Sequence, residues 1–138
     1  MNYPSIIGIA ISLFAILFLF IIRKKVIKPY GVSFWRGSLV FYVVYILILA
    51  TVFIRWSYLE SQLNSFDLDH NGFIEMEEYT DEYRIASQRV IEDTARNFAF
   101  LTGAILSLFV SFLFLSIDLT RTYPKILKSK NPSIQLQK

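Results

Sequence analysis

The chain has 138 residues, of which 54% are hydrophobic and only 18% are charged, and its formal net charge is +3. This composition is too apolar for an ordinary soluble domain and predicts a protein of the lipid bilayer, with no sign of a nucleic-acid partner. The chain contains no cysteine, so composition neither supports nor excludes an oxidising compartment.

The first uncharged stretch, residues 6–22, is long enough to cross a bilayer as an α-helix. A secretory signal would carry its basic residues before the apolar run, whereas the cluster Arg23-Lys24-Lys25 follows this one. We therefore expect residues 6–22 to be a retained membrane helix. In the loop that follows, residues 23–37, all charged side chains are basic: Arg23, Lys24, Lys25, Lys28 and Arg36.

The second uncharged stretch, residues 38–54, is shorter but has aromatic residues at both ends. Trp35 lies before it and Trp56 and Tyr58 lie after it, as in the interfacial belt of a membrane protein. Residues 55–66 contain no Gly or Pro, and their apolar members are spaced like one face of a helix: Trp56, Leu59, Leu63 and Phe66. The second membrane helix is therefore expected to continue outside the bilayer.

Residues 67–78 carry the pattern Asp-x-Asp-x-Asn-Gly, followed by five residues and a glutamate. Calcium is held by six to eight oxygen atoms in a flexible shell, which acidic and amide side chains at alternate positions can supply. Gly72 falls where such a loop has to turn sharply. An acidic loop with one glycine can also be a solvated turn, but this pattern restricts six positions at once.

The segment resembles the EF-hand family over residues 57–84, including the aromatic residues Phe66 and Tyr79 just outside the loop. The resemblance implies a helix–loop–helix unit that binds Ca²⁺ through six residues: Asp67, Asp69, Asn71, the carbonyl of Phe73, Glu75 directly or through a water, and Glu78 as a bidentate ligand. EF-hands usually pair through position 8 of the loop, here Ile74, yet the sequence shows one loop. The resemblance therefore implies a partner, either a second copy of the chain or another membrane protein subunit.

The third uncharged stretch, residues 98–117, completes a predicted all-α fold of three transmembrane helices with an EF-hand between the second and third. Residues 76–117 contain one glycine and no proline, so the exiting helix of the hand is expected to continue into the third membrane helix. Calcium binding could then change the relative orientation of the second and third membrane helices, unless a helix bends near residues 94–97. Small residues four positions apart predict close helix–helix contacts: Gly8 and Ser12, and Gly103, Ser107 and Ser111.

The chain divides into four parts: the first two membrane helices with their basic loop (1–54), the EF-hand segment (55–97), the third membrane helix (98–117) and the tail (118–138). The charges of these parts predict which side of the membrane each one faces. Residues 55–97 carry ten acidic residues and four arginines, whereas the tail carries five basic residues and one acidic one. Because basic loops stay in the cytoplasm, we expect the tail to lie inside and the N-terminus and EF-hand to lie outside. The tail is expected to be poorly ordered from Tyr123 onward.

The residue types of catalysis are sparse, and we expect the protein not to be an enzyme. His70 is the only histidine, and at loop position 4 it is expected to face solvent. No Gly-rich phosphate loop or nucleophile motif occurs, and the acid pairs Glu77-Glu78 and Glu92-Asp93 are typical of a solvated helix face. No charged residue falls inside a predicted span, which argues against a pump or transporter acting alone.

Two functions agree with this pattern. In the first, the protein is a calcium-binding integral membrane protein that acts as a sensor or regulatory subunit. In the second, it is a structural accessory subunit of a larger membrane complex, and calcium is a permanent staple, since outer EF-hand modules with dissociation constants of about 10⁻⁴–10⁻³ M stay occupied at millimolar calcium. A third interpretation, an accessory channel subunit that gathers cations, lacks a pore-lining signal.

Overall fold

The computed structural model describes residues 3–69, 71–93 and 95–130. Within these ranges every regular element is helical, in the order α1 (Tyr3–Ile22), a short 3-10 turn (Arg23–Lys25), α2 (Pro29–Asn64), α3 (Asp81–Glu92) and α4 (Ala95–Lys130). Three of the helices, α1, α2 and α4, are long and apolar enough to cross a membrane. The predicted all-α fold with three membrane-length helices is confirmed.

The second membrane helix, α2, is a single helix of 36 residues that begins at Pro29, a residue favoured in the first helical turn. Its length of about 54 Å exceeds the hydrocarbon thickness of about 30 Å. Residues 55–64 therefore extend the membrane helix beyond the apolar span without a break. The predicted continuity of this helix up to the acidic loop is confirmed.

The three membrane helices meet at Tyr45 of α2, which is buried together with Leu49 and Ala99. A Cβ atom at Gly8 of α1 would lie 2.6 Å from the hydroxyl oxygen of Tyr45, and a Cβ at Gly103 of α4 would lie 3.5 Å from its ring atom Cε2. The two glycines thus provide the space that the tyrosine ring fills. The predicted close contact at small residues is confirmed, and it lies within the chain.

Serine hydroxyls in the bundle donate to backbone carbonyls, as polar groups in an apolar environment must. Ser12 and Ser107 each donate to the carbonyl four residues earlier in their own helix, at 2.7 Å. Ser111 of α4 instead donates to the carbonyl of Gly37 in α2, also at 2.7 Å. This hydrogen bond between helices fixes the register of α4 against α2.

An ion pair joins α2 to the α4 side at each end of the bundle. At one end, Nη1 of Arg36 lies 3.2 Å from Oδ1 of Asp118 in α4. At the other end, Nη2 of Arg55 lies 3.9 Å from Oδ1 of Asp93, which directly follows α3 and whose side chain is only 2% exposed. The two arginines of α2 therefore flank the predicted membrane span, residues 38–54.

The segment after the acidic loop is not one continuous helix, so that prediction is wrong. α3 begins at Asp81, where Oγ1 of Thr80 caps it by accepting the N–H of Tyr83 at 3.2 Å. It ends at Glu92, because Asp93 has φ −74° and ψ 67°, outside the helical region. The carboxylate of Asp93 is buried beside Arg55 of α2 at the point where α3 ends.

The position of the break differs slightly from the bend expected near residues 94–97. Thr94 lies outside the described residues, and Asn97 already belongs to α4. At its other end α4 continues to Lys130 with Pro124 inside it, so the expected loss of order from Tyr123 is wrong for residues 123–130. Residues 131–138 lie outside the described part of the chain.

Candidate metal site between α2 and α3

The acidic loop is closed by a turn at its start and by aromatic contacts beside it. The N–H of Asp67 donates to the carbonyl of Asn64, at 3.3 Å, so the last turn of α2 reaches the first loop residue. The rings of Phe66 and Tyr83 pack edge to face with centroids 5.8 Å apart, and Tyr79 packs against Tyr83 at 5.4 Å. These contacts bring the two ends of the loop together.

Three carboxylates meet in this loop. Asp67, Asp69 and Glu78 each offer one carboxylate oxygen, and the three oxygens lie within 4.8 Å of one another. Glu78 is only 9% exposed. A buried carboxylate beside two other acids is costly unless hydrogen-bond donors or a cation compensate its charge.

Backbone N–H groups provide part of that compensation on the N-terminal side of the loop. The carboxylate of Asp67 accepts the N–H of Asn71 at 3.2 Å and the N–H of Gly72 at 2.9 Å. Gly72 has φ +83°, a left-handed conformation that glycine adopts without a steric penalty. The glycine therefore allows the chain to turn back so that its N–H reaches Asp67.

Glu78 joins the two ends of the loop. Its Oε1 accepts the N–H of Leu68 at 2.7 Å, and its Oε2 accepts the N–H of Glu75 at 3.3 Å. One carboxylate oxygen is thus directed to the first residues of the loop and the other to its C-terminal half. The last predicted ligand is held in place by the backbone on both sides.

The remaining predicted ligands lie beside the three carboxylates without completing a shell. Nδ2 of Asn71 donates to Oδ2 of Asp69 at 2.7 Å and to Oε1 of Glu75 at 3.4 Å, while Oδ1 of Asn71 accepts the N–H of Phe73 at 2.7 Å. The amide nitrogen, and not the oxygen, therefore points to the acids. Phe73 and Glu75 have exposed side chains, and His70 lies outside the described residues.

The donor set of the three clustered residues consists of carboxylate oxygens, the ligand type that hard divalent cations prefer. Oxygens on opposite sides of one calcium ion are about 4.6–5.2 Å apart, because each bond is 2.3–2.6 Å long. Three oxygens within 4.8 Å of one another are therefore within reach of a single ion. The residues present fit calcium by chemistry and by spacing.

Asp93 is the acidic residue that sequence reasoning misjudged. We expected it on a solvated helix face with Glu92, yet its side chain is buried, and its Oδ2 has no hydrogen-bond partner in the described part of the chain. Its counter-charge, Arg55, lies 38 positions earlier in the sequence. No local pattern signals such a pair.

Comparison of the chain with models of known protein families, with curated proteins and with solved structures finds no match. The candidate site is therefore defined by the loop residues and their geometry alone.

Proposed function

We propose that this protein is a calcium-binding integral membrane protein that acts as a sensor or regulatory subunit. The observation that carries the proposal is the meeting of three carboxylate oxygens, from Asp67, Asp69 and Glu78, in a loop that matches the EF-hand pattern. In this proposal the three residues hold the ion, and Asn71, Glu75 and the carbonyl of Phe73 complete the shell. Asn71 has to rotate its amide so that the oxygen replaces the nitrogen.

The sensor interpretation is supported by the way the loop is attached to the membrane helices. Asp67 follows the end of α2 by three residues, and α2 runs unbroken from the loop through the membrane span. A change in loop geometry on binding calcium would therefore act directly on a membrane helix. Sensor EF-hands change their interhelical angle by about 40°, whereas buffer-type hands barely open.

The alternative, a structural accessory subunit with calcium as a permanent staple, is favoured by a different observation. The loop is already organised by its own hydrogen bonds, with Glu78 bonded to Leu68 and Glu75 and with Asp67 bonded to Gly72. A loop that is held by several of its own hydrogen bonds has little freedom to rearrange. In this case calcium would raise the stability of the protein without moving its helices.

A calcium titration by calorimetry in detergent tests the proposed site. Glu78→Gln removes the charge of the buried carboxylate and is expected to weaken calcium binding by about tenfold or more, since affinity follows the charge and number of ligands. The matched control is Glu77→Gln, which removes the same charge from an exposed neighbour outside the cluster and should leave affinity within about twofold. Equal affinities of Glu78→Gln and the parent protein would show that this loop is not the site.

We also propose that the basic end of the bundle lies in the cytoplasm and the acidic loop outside it. The support is the charge distribution, since the Arg23–Lys25 turn and the far end of α4 lie at the same end of the bundle, opposite the loop.

The proposed partner would pack on the apolar outer side of the loop. Ile74 is half-buried, but its neighbours Phe73 and Met76 are exposed, and Met76 is 96% exposed. Apolar side chains grouped outside a membrane span are typical of an interaction surface. A calcium-loaded protein that stays monomeric in mild detergent and captures no subunit from its native membrane would contradict this part of the proposal.

A further inference from the structure

The basic end of the bundle is held together by contacts of Trp35. Its indole N–H donates to the carbonyl of Leu19 at 2.7 Å, which fixes the start of α2 to the end of α1. The guanidinium carbon of Arg23 lies 5.0 Å from the centre of the Trp35 ring, within the range of a cation–π contact. The short basic turn is thereby placed beside α2.

The far end of α4 joins the same surface. The hydroxyls of Ser33 and Thr122 lie 3.4 Å apart, and Arg36 pairs with Asp118 at 3.2 Å. These contacts place Arg121, whose side chain is exposed, at the end of the bundle that also carries the basic turn. Arg121 and the basic turn therefore lie on one surface, at the same end of the bundle.

Most of the cationic side chains that the structure describes on this surface form no ion pair. Asp118 is the only acidic residue among residues 23–37 and 118–130, and it pairs with Arg36. Four further cationic side chains are exposed and take part in no ion pair within the described residues: Lys24, Lys25, Lys28 and Arg121. We refer to these four side chains as the basic collar.

Exposed apolar side chains lie among the cations of the collar. Ile27, between Lys25 and Lys28, is 86% exposed, and Tyr30 and Tyr123 are also exposed. Trp35, already fixed beside Arg23, is an interfacial residue type. A surface of lysines and apolar side chains at the end of a membrane span matches the boundary between lipid headgroups and acyl chains.

We propose that the basic collar binds the headgroups of anionic phospholipids, so that the protein selects such lipids at this end and not at the other. Lysine and arginine residues next to a membrane span are attracted to anionic lipid within about one Debye length. The acidic loop end carries the opposite charge and would repel the same lipids. The inference is independent of calcium binding.

The two tryptophans of the chain allow each end to be observed separately. Trp56→Phe leaves Trp35 as the reporter of the collar, and Trp35→Phe leaves Trp56 as the reporter of the opposite end. Each variant is reconstituted in vesicles that contain brominated phosphatidylglycerol or brominated phosphatidylcholine. The quenching of tryptophan fluorescence by each lipid gives the relative association of the two lipids with that end of the protein. At Trp35 we expect the association of the anionic lipid to exceed that of phosphatidylcholine by about threefold or more. At Trp56 we expect no excess of the anionic lipid.

A charge variant on the Trp56→Phe background completes the test. Lys24→Gln, Lys25→Gln and Lys28→Gln together should bring the lipid preference at Trp35 close to one, and about 1 M salt should do the same to the parent. Helicity measured by circular dichroism checks that the variant is folded, and Arg121→Gln provides a second, single-charge variant on another helix. The single change is expected to lower the preference in part.

Three results would overturn the proposal. One is equal quenching of Trp35 by the two lipids, and another is a preference that survives loss of the three lysine charges in a folded protein. The last is relief of quenching by millimolar inorganic phosphate, which would show that the collar recognises free phosphate and not a lipid surface.

Discussion

At the scale of single residues, Tyr45 shows how a small membrane protein holds three helices together with few buried side chains. Its hydroxyl donates to the carbonyl of Phe100 at 3.2 Å, and its ring lies against Gly8 and Gly103 on two different helices. In lipid, apolar burial gives helices little reason to associate, so close packing and hydrogen bonds carry the contact. The two glycines therefore matter because they have no side chain.

A leucine in place of Gly8 should separate α1 from the other helices. Its Cβ would lie 2.6 Å from the Tyr45 hydroxyl oxygen, a distance that Cβ atoms in proteins essentially never show, so the ring or the helix has to move. We expect Gly8→Leu to lower the free energy of unfolding by about 1–3 kcal/mol, the usual cost of overpacking. Unfolding by sodium dodecyl sulfate measures it, and Ala10→Leu on the exposed side of α1 is the matched control. Equal effects of the two changes would contradict this account of the contact.

The arrangement of the acidic loop was predictable from the sequence to different degrees at different residues. Asp67, Asp69 and Glu78 meet as the loop pattern predicts, because a glycine turn and backbone N–H groups suffice to place them. The orientation of Asn71 was not predictable, since its amide can present either end and neighbouring acids accept hydrogen bonds from its nitrogen.

At the scale of helices, the two connections from the loop to the membrane differ. α2 is continuous because residues 38–64 offer no Gly or Pro at which to break, and this was predictable. Residues 79–117 also contain no proline, yet the helix breaks at Asp93, whose buried carboxylate lies beside the distant Arg55. Such a break depends on tertiary contact, which periodicity does not contain.

The Arg55–Asp93 pair should contribute more stability than an exposed pair. Removing the arginine leaves a buried carboxylate without its counter-charge, and we expect Arg55→Gln to cost about 1–3 kcal/mol of unfolding free energy. The matched control is Arg84→Gln, which breaks the pair with Asp81 at 3.2 Å, where both side chains are exposed, and should cost at most about 1 kcal/mol.

A double change checks the cause of that loss. Adding Asp93→Asn to Arg55→Gln should recover part of the stability, because the uncompensated charge is then absent. If Arg55→Gln costs no more than Arg84→Gln, the ion pair does not hold the joint between α3 and α4.

The break also changes the expected route of any calcium-driven motion. Because α3 and α4 are separate helices and α2 is continuous, we expect α3 to rotate without moving α4 and α2 to transmit motion along its length. We expect spin labels on Ser61→Cys and Gln88→Cys, which report α3 against α2, to move more on calcium binding than labels on Ser38→Cys in α2 and Ser116→Cys in α4, on the side of the bundle away from the loop. If calcium binding is demonstrated and neither label distance differs between calcium and chelator, the result favours a structural role in which calcium is permanently bound.

At the scale of the whole molecule, charge separates the two ends of the bundle. Residues 55–97 carry ten acidic residues against four arginines, while residues 23–37 carry five basic residues and no acidic one. The sequence was sufficient to predict this polarity, because the spans and charge counts need no tertiary contact. It did not predict that α4 stays helical to Lys130, since a proline after Tyr123 usually ends a helix in water.

The sidedness of the protein can be tested because the chain has no native cysteine. Ser61→Cys lies on the exposed extension of α2 near the loop, and Tyr123→Cys lies at the basic end, where the side chain is also exposed. In intact cells we expect an impermeant thiol reagent to label Ser61→Cys and to label Tyr123→Cys only after the cytoplasmic side is opened, since lysine and arginine are retained inside. The reverse labelling pattern would place the loop in the cytoplasm, where resting calcium is far below the millimolar level. An EF-hand there would need a much higher affinity than the 10⁻⁴–10⁻³ M typical of outer modules, so the labelling result also fixes the affinity range in which calcium binding has to be measured.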